Sequence, residues 1–173
     1  SYKTSSESIP ISPASSVGGV RSEQVPFKLN EVEKNDSDGV YENYRFGFQV
    51  NYPRDILFPQ GESENGDGQV FSSSDGAFTL AVWGEIKPVG SSVDELFEYE
   101  SRGLVHRNKK MVVTYKRRKD DWFVVSGVEG SFGIYRRVHV RDGSVARLEM
   151  RWPIDQVERW KPIIEKVSVF HFY

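Results

Sequence analysis

The sequence predicts an α+β domain, an antiparallel β-sheet flanked by helices. Two patterns carry this expectation. Short runs alternate apolar and polar residues, with Gly, Asp or Asn chemistry at their junctions, the mark of strands joined by tight turns. One capped amphipathic helix interrupts them and a second follows the last run, so helices sit against a sheet rather than alternate with parallel strands.

Residues 1–40 read as a tether. "SYKTSSESIPISPASSVGGVRSEQV" is rich in Ser, Pro and Gly with no apolar period, and "EVEKNDSDG" continues as an acidic approach. The globular domain is expected over residues 41–173. Its first strand is "RFGFQVNYP", where Phe46, Phe48, Val50 and Tyr52 share one face and Pro53 stops the run. "GQVFSSSDGAFTLAVWGEI" reads as two strands around Ser74-Asp75-Gly76, and the second, with few polar residues, is expected to be central and covered on both faces.

Ser92 followed by Glu95 is a capping box, in which each side chain satisfies a free backbone donor of the first helical turn. Val93, Leu96, Phe97 and Leu104 form its apolar stripe, and Gly103 marks its end. Four further runs, "MVVTYKR", "WFVVSG", "SFGIYRRVHV" and "VARLEMRW", form an antiparallel meander. Asp155 and Glu158 suggest a second capping box for a closing helix with Val157, Trp160, Ile164 and Val167 inward and a kink or restart at Pro162.

Charge is distributed unevenly along the chain. Val20–Glu100 carries a net −10 and Ser101–Tyr173 a net +8, within a total of −2. The two halves can neutralise each other on packing, or the second can present a basic surface to an acidic partner. With 23 aromatic residues among 173, most of the chain is expected to fold. The lack of cysteine excludes disulfides and thiolate chemistry. No run approaches the roughly 20 apolar residues of a membrane-spanning helix. The Ser/Pro-rich leader points to a periplasmic or extracellular location and is compatible with a signal sequence or an anchor upstream of Ser1.

Motifs for chemistry are few. "RFGFQV" approaches the aromatic signature of RNA-recognition motifs, but it lacks the first Gly and has no companion strand upstream, so its aromatics read as core. The basic cluster of Arg107, Lys109, Lys110 and Lys116 to Lys119 runs into Asp120 and Asp121, which argues for a solvated sheet edge over nucleic acid. His106, His139 and His171 show no metal-ligand spacing, "NDSDG" and "ENGDG" complete no calcium loop, and "GSFG" is no nucleophile elbow. No catalytic residue, metal or cofactor is therefore expected.

The hairpin "YRRVHVRDGSVARLEMRW" is the most informative stretch. If Gly143 closes a bulged turn, Val138 faces Ala146 and the apolar face holds Ile134, Val138, Ala146, Leu148, Met150 and Trp152. Tyr135, Arg137, His139, Arg147, Glu149 and Arg151 then share the polar face, with Arg137 opposite Arg147. Like charges facing each other call for an acid between them. Tyr135, Arg137, His139, Arg147 and Arg151 are thus the candidate partner-binding residues, although Arg136 falls on the apolar side in this register.

"FGFQVNYPRD", then "FSSSDGAFTLAVWG", a capped helix, a meander and a closing helix resemble the PsbP-like fold over roughly Tyr41 to Phe170. That family includes extrinsic photosystem II subunits, a Ran-binding transport factor and small exported bacterial proteins. The resemblance implies an antiparallel sheet sandwiched between helices, an α/β/α arrangement, and a non-enzymatic adaptor or stabiliser of a protein partner. No residue matches the family's ion-binding or partner sites, so none is carried over. The expected function is an exported or surface-tethered protein-binding module whose partner is acidic. The alternatives are an immunity or inhibitor protein that blocks a toxin or enzyme, and a polyanion-binding module.

Overall fold

The alternating runs pair into two antiparallel sheets in the computed structural model, which describes residues 38–103 and 110–167 and the backbone of 170–172. Leader residues 1–37, Leu104, His106, Arg107 and Lys109 lie outside the described residues, as does the His171 side chain. Strands β1 (Asp38–Asn43), β2 (Phe48–Pro53) and β10 (Phe170–Phe172) form a small sheet in the order β1-β2-β10. The large sheet takes β3 (Leu57–Glu62), β4 (Gly68–Ser73), β5 (Thr79–Ile86), β6 (Val112–Arg118), β7 (Trp122–Glu129), β8 (Phe132–Arg141) and β9 (Ser144–Pro153). Their order is β3-β4-β5-β9-β8-β7-β6. Helices α1 (Val93–Ser101) and α2 (Val157–Val167) complete the described elements, α2 entered through a 3₁₀ turn at Ile154–Gln156.

A strand the sequence did not suggest precedes the expected one. β1 begins at Asp38, inside the stretch read as tether, and "RFG" is a turn rather than strand. Buried Asn43 builds that turn, accepting from the Phe46 N–H at 2.9 Å and donating to the Gly66 carbonyl at 3.0 Å. Phe48 and Val50 of β2 then point into the core.

The turn between β4 and β5 is held by Asp75. Its carboxylate accepts from the Ser73 hydroxyl at 2.7 Å and the Ala77 N–H at 3.1 Å, and it pairs with Arg159 of α2 at 2.7 Å. These contacts, the Ser73 hydroxyl first, lower its pKa to about 2. Gly76 supplies the positive φ of 72°.

The two faces of the large sheet carry different covers. Phe71, Leu80, Val82, Val124, Leu148, Met150 and Trp152 meet Trp160, Ile163, Ile164 and Val167 of α2, with Phe48 and Val50 of the small sheet. On the other face Phe123, Val125, Ile134 and Val138 meet Val93, Leu96 and Phe97 of α1. The helix has the predicted capping box, Ser92 Oγ accepting from Glu95 N–H while the Glu95 carboxylate accepts from Ser92 N–H.

Three expectations need correction. β5 is central but not covered on both faces: Leu80, Val82 and Gly84 are buried, whereas Thr79, Ala81 and Trp83 are half-exposed, because α1 packs over β6, β7 and β8 rather than over β5. Asp155 does not cap a helix, since it lies within the 3₁₀ turn, whose N-cap Pro153 makes no side-chain capping bond. α2 runs unbroken through Pro162. The α+β class holds, but strands dominate and the helical layers are partial: α2 shares its face with the small sheet, and α1 leaves half of the other bare.

Candidate functional site

The β8–β9 hairpin decides where the candidate residues point. Asp142 and Gly143 alone form the loop, because Arg141 pairs with Ser144; Val140 pairs with Val145, Val138 with Arg147, Arg137 with Leu148 and Arg136 with Glu149. The bulged register is off by one residue, and a one-residue slip turns a strand's whole side-chain set over. Arg137 therefore does not face Arg147. Tyr135, Arg137 and His139 lie on the α2 face, while Arg147 and Arg151 lie on the α1 face with Arg136. The five candidates do not form one strip. An Asp-Gly pair between alternating runs is the hairpin signal that could have found this register.

On the α1 face every central arginine meets a carboxylate. Arg136 Nε binds Glu149 Oε2 at 2.6 Å, and its Nη1 reaches Glu100 Oε2 at 3.4 Å. Arg147 pairs with both Glu100 and Glu85. Arg151 Nη1 binds Glu129 Oε2 at 2.7 Å and lies over the Phe132 ring at 4.1 Å. Glu85 and Glu100 bring charge from the acidic first half of the chain to these arginines, whereas Glu129 and Glu149 come from the same basic half as the arginines themselves. Glu100 had no sequence signal beyond its place near the end of α1.

Beyond these pairs the same face lies open over β4 and β5. Val70 is 45% exposed, and Ala81 and Trp83 are partly exposed beside it. A hollow of about 330 Å³ runs along Gly68, Val70, Ala81 and Trp83 towards the β3–β4 hairpin. The Trp83 indole N–H donates to Glu85 Oε1 at 3.1 Å, which holds the ring in place. This half-face is an apolar patch rimmed by neutralised ion pairs. Such a patch excludes water well and recognises shape more than charge.

On the α2 face, Arg137 is 6% exposed. Its guanidinium sits over the Trp122 ring at 4.2 Å, and its Nε donates to His139 Nε2 at 2.9 Å. The His139 and Trp122 rings stack with centroids 6.2 Å apart. Burial first, and then the Arg137 charge, hold the His139 pKa well below 6.5, so the imidazole is neutral at pH 7. A neutral ring is the form that can accept the Nε–H bond. Among the described residues, no group of three or more His, Asp or Glu side chains could hold a metal ion.

No family model matches the chain, and no curated protein matches it. Among solved structures, the solution structure of cyanobacterial PsbP (CyanoP) from Synechocystis sp. PCC 6803 superposes with a TM-score of 0.63 at 16% sequence identity. The match covers 94% of this chain and 100% of that one. The fold is PsbP-like.

Proposed function

We propose that this protein is a non-enzymatic adaptor or stabilising module, exported or surface-tethered in a bacterium, that binds a protein partner on the open half of its α1 face. One observation carries the reading: the apolar patch of Val70, Ala81 and Trp83 lies over central strands with no helix above it among the described residues. An antiparallel sheet can show one face to water, but an apolar patch on that face marks a site of protein association. The rim charges of Arg147, Glu85, Arg151 and Glu129 are matched in pairs. They favour a partner with a polar, near-neutral rim rather than a strongly acidic one. The Ser/Pro-rich composition of the leader supports the periplasmic or extracellular placement. The helix-covered sandwich implied by the PsbP-like fold then closes only when the partner supplies the missing cover.

A photo-crosslinking amino acid at Val70, in the native host, tests this. The expected result is one discrete protein adduct, absent when the crosslinker sits at the exposed Val89 loop and lost on Ala81→Arg. A lack of adducts, or adducts indifferent to Ala81→Arg, would overturn the reading.

A further inference from the structure

Arginines on the two faces of the large sheet meet different surroundings. Arg136, Arg147 and Arg151 on the α1 face all have carboxylates. On the α2 face, Arg137 and Arg117 have none within ion-pair distance among the described residues. Both pair across the sheet with Val124, so they stand in one row on strands β6 and β8, about 10 Å apart along the sheet. A nearly buried arginine is ordinarily matched by an acid. Arg137 instead has an indole beneath its plane and a neutral imidazole accepting its Nε–H. Its terminal nitrogens have no acceptor among the described residues and are not sealed from solvent. The guanidinium is thus immobilised from below and from one side, with its forked end left over.

We propose that this corner of the α2 face is a carboxylate-recognition site. Arg137 is its oriented two-pronged donor, Arg117 is its second cation, and an acidic side chain of a polypeptide is its ligand. A held guanidinium binds a planar carboxylate through two parallel N–H bonds at little further entropic cost. The indole strengthens the arrangement by holding the guanidinium over its negative face, to which the ring quadrupole attracts the cation. The site lies on the face opposite the Val70 patch and does not depend on that patch binding anything.

Nuclear magnetic resonance titration of the whole chain at physiological ionic strength tests the assignment, with a capped tetraglutamate peptide, succinate and inorganic phosphate as probes. The expected result is saturable movement of the Trp122 indole and His139 ring signals with the peptide, weakened about tenfold by Arg117→Gln. Arg117 is only half-buried, so that variant keeps the fold even if Arg137→Gln does not. Succinate binding as tightly as the peptide would keep the carboxylate site and reassign its source to a small diacid. Phosphate outcompeting both carboxylates, unmoved Trp122 and His139 signals, or indifference to Arg117→Gln would overturn the proposal. Ala81→Arg should leave this titration unchanged.

Discussion

Arg136 and Glu149 stand directly opposite each other on β8 and β9, joined Nε to Oε2 at 2.6 Å with both side chains largely buried. The pair belongs to one register only: slipped by a residue, Arg136 would face apolar neighbours and Glu149 would lose its cation. Glu100 extends the pair into a network, bridging Arg136 and Arg147 from α1. The helix is thus docked by charge as well as by Phe97 on Phe123, whose rings lie 5.4 Å apart.

Glu100→Gln should lower stability by about 2 kcal/mol. Removing one member of a buried ion pair commonly costs more than that, but Glu149 and Glu85 stay in place to hold the two arginines. Urea unfolding checks it, and a double-mutant cycle with Arg147→Met should show strong coupling. Additive effects would mean that the Glu100 contact carries no energy.

Gly84→Ala should destabilise by about 1–3 kcal/mol. A Cβ at Gly84 would stand 2.2 Å from the Phe46 ring, which packs on the bare glycine backbone of β5. Trimming the ring should relieve the clash, so Phe46→Ala combined with Gly84→Ala should be less damaging than the sum of the two. A neutral Gly84→Ala by thermal unfolding would show that the loop carrying Phe46 yields freely.

Stability should fall as pH drops below about 6.5 because of His139. The unfolded ring takes up a proton near 6.5, while burial and Arg137 keep the folded ring neutral to well below that value. The unfolded chain therefore binds more protons in this window, and the contribution is fully present only above it. Urea midpoints at pH 7.5 and 5.0 should converge for His139→Gln relative to the native chain. Equal slopes for the two proteins would remove His139 from the account.

Much of the fold was legible because its causes are local. The Ser92–Glu95 box, the Ser-Asp-Gly turn after β4 and the period-two runs of β4 to β9 each act within a few residues. β1, β3 and β10 were not foreseen. "LFPQGE" contains Pro59 and Gly61 and buries only Leu57, so pairing with β4 rather than its own pattern makes it a strand. β10 is three residues long, and antiparallel pairing with β2 is what makes it a strand.

The candidate residues were wrongly grouped, because face assignment hangs on a single register step between β8 and β9. What the sequence determined by itself was β2, β4 to β9 and the two helices in their order, the turns between most of them and the first helix's cap, all products of short-range hydrogen bonding and side-chain periodicity. Tertiary structure alone decided which arginines are neutralised and which are not. Glu100 lies 36 residues from Arg136 and 47 from Arg147, and only the docking of α1 on one face brings those charges together. Arg117 and Arg137 face the other way, beyond the reach of that helix, and meet no carboxylate among the described residues.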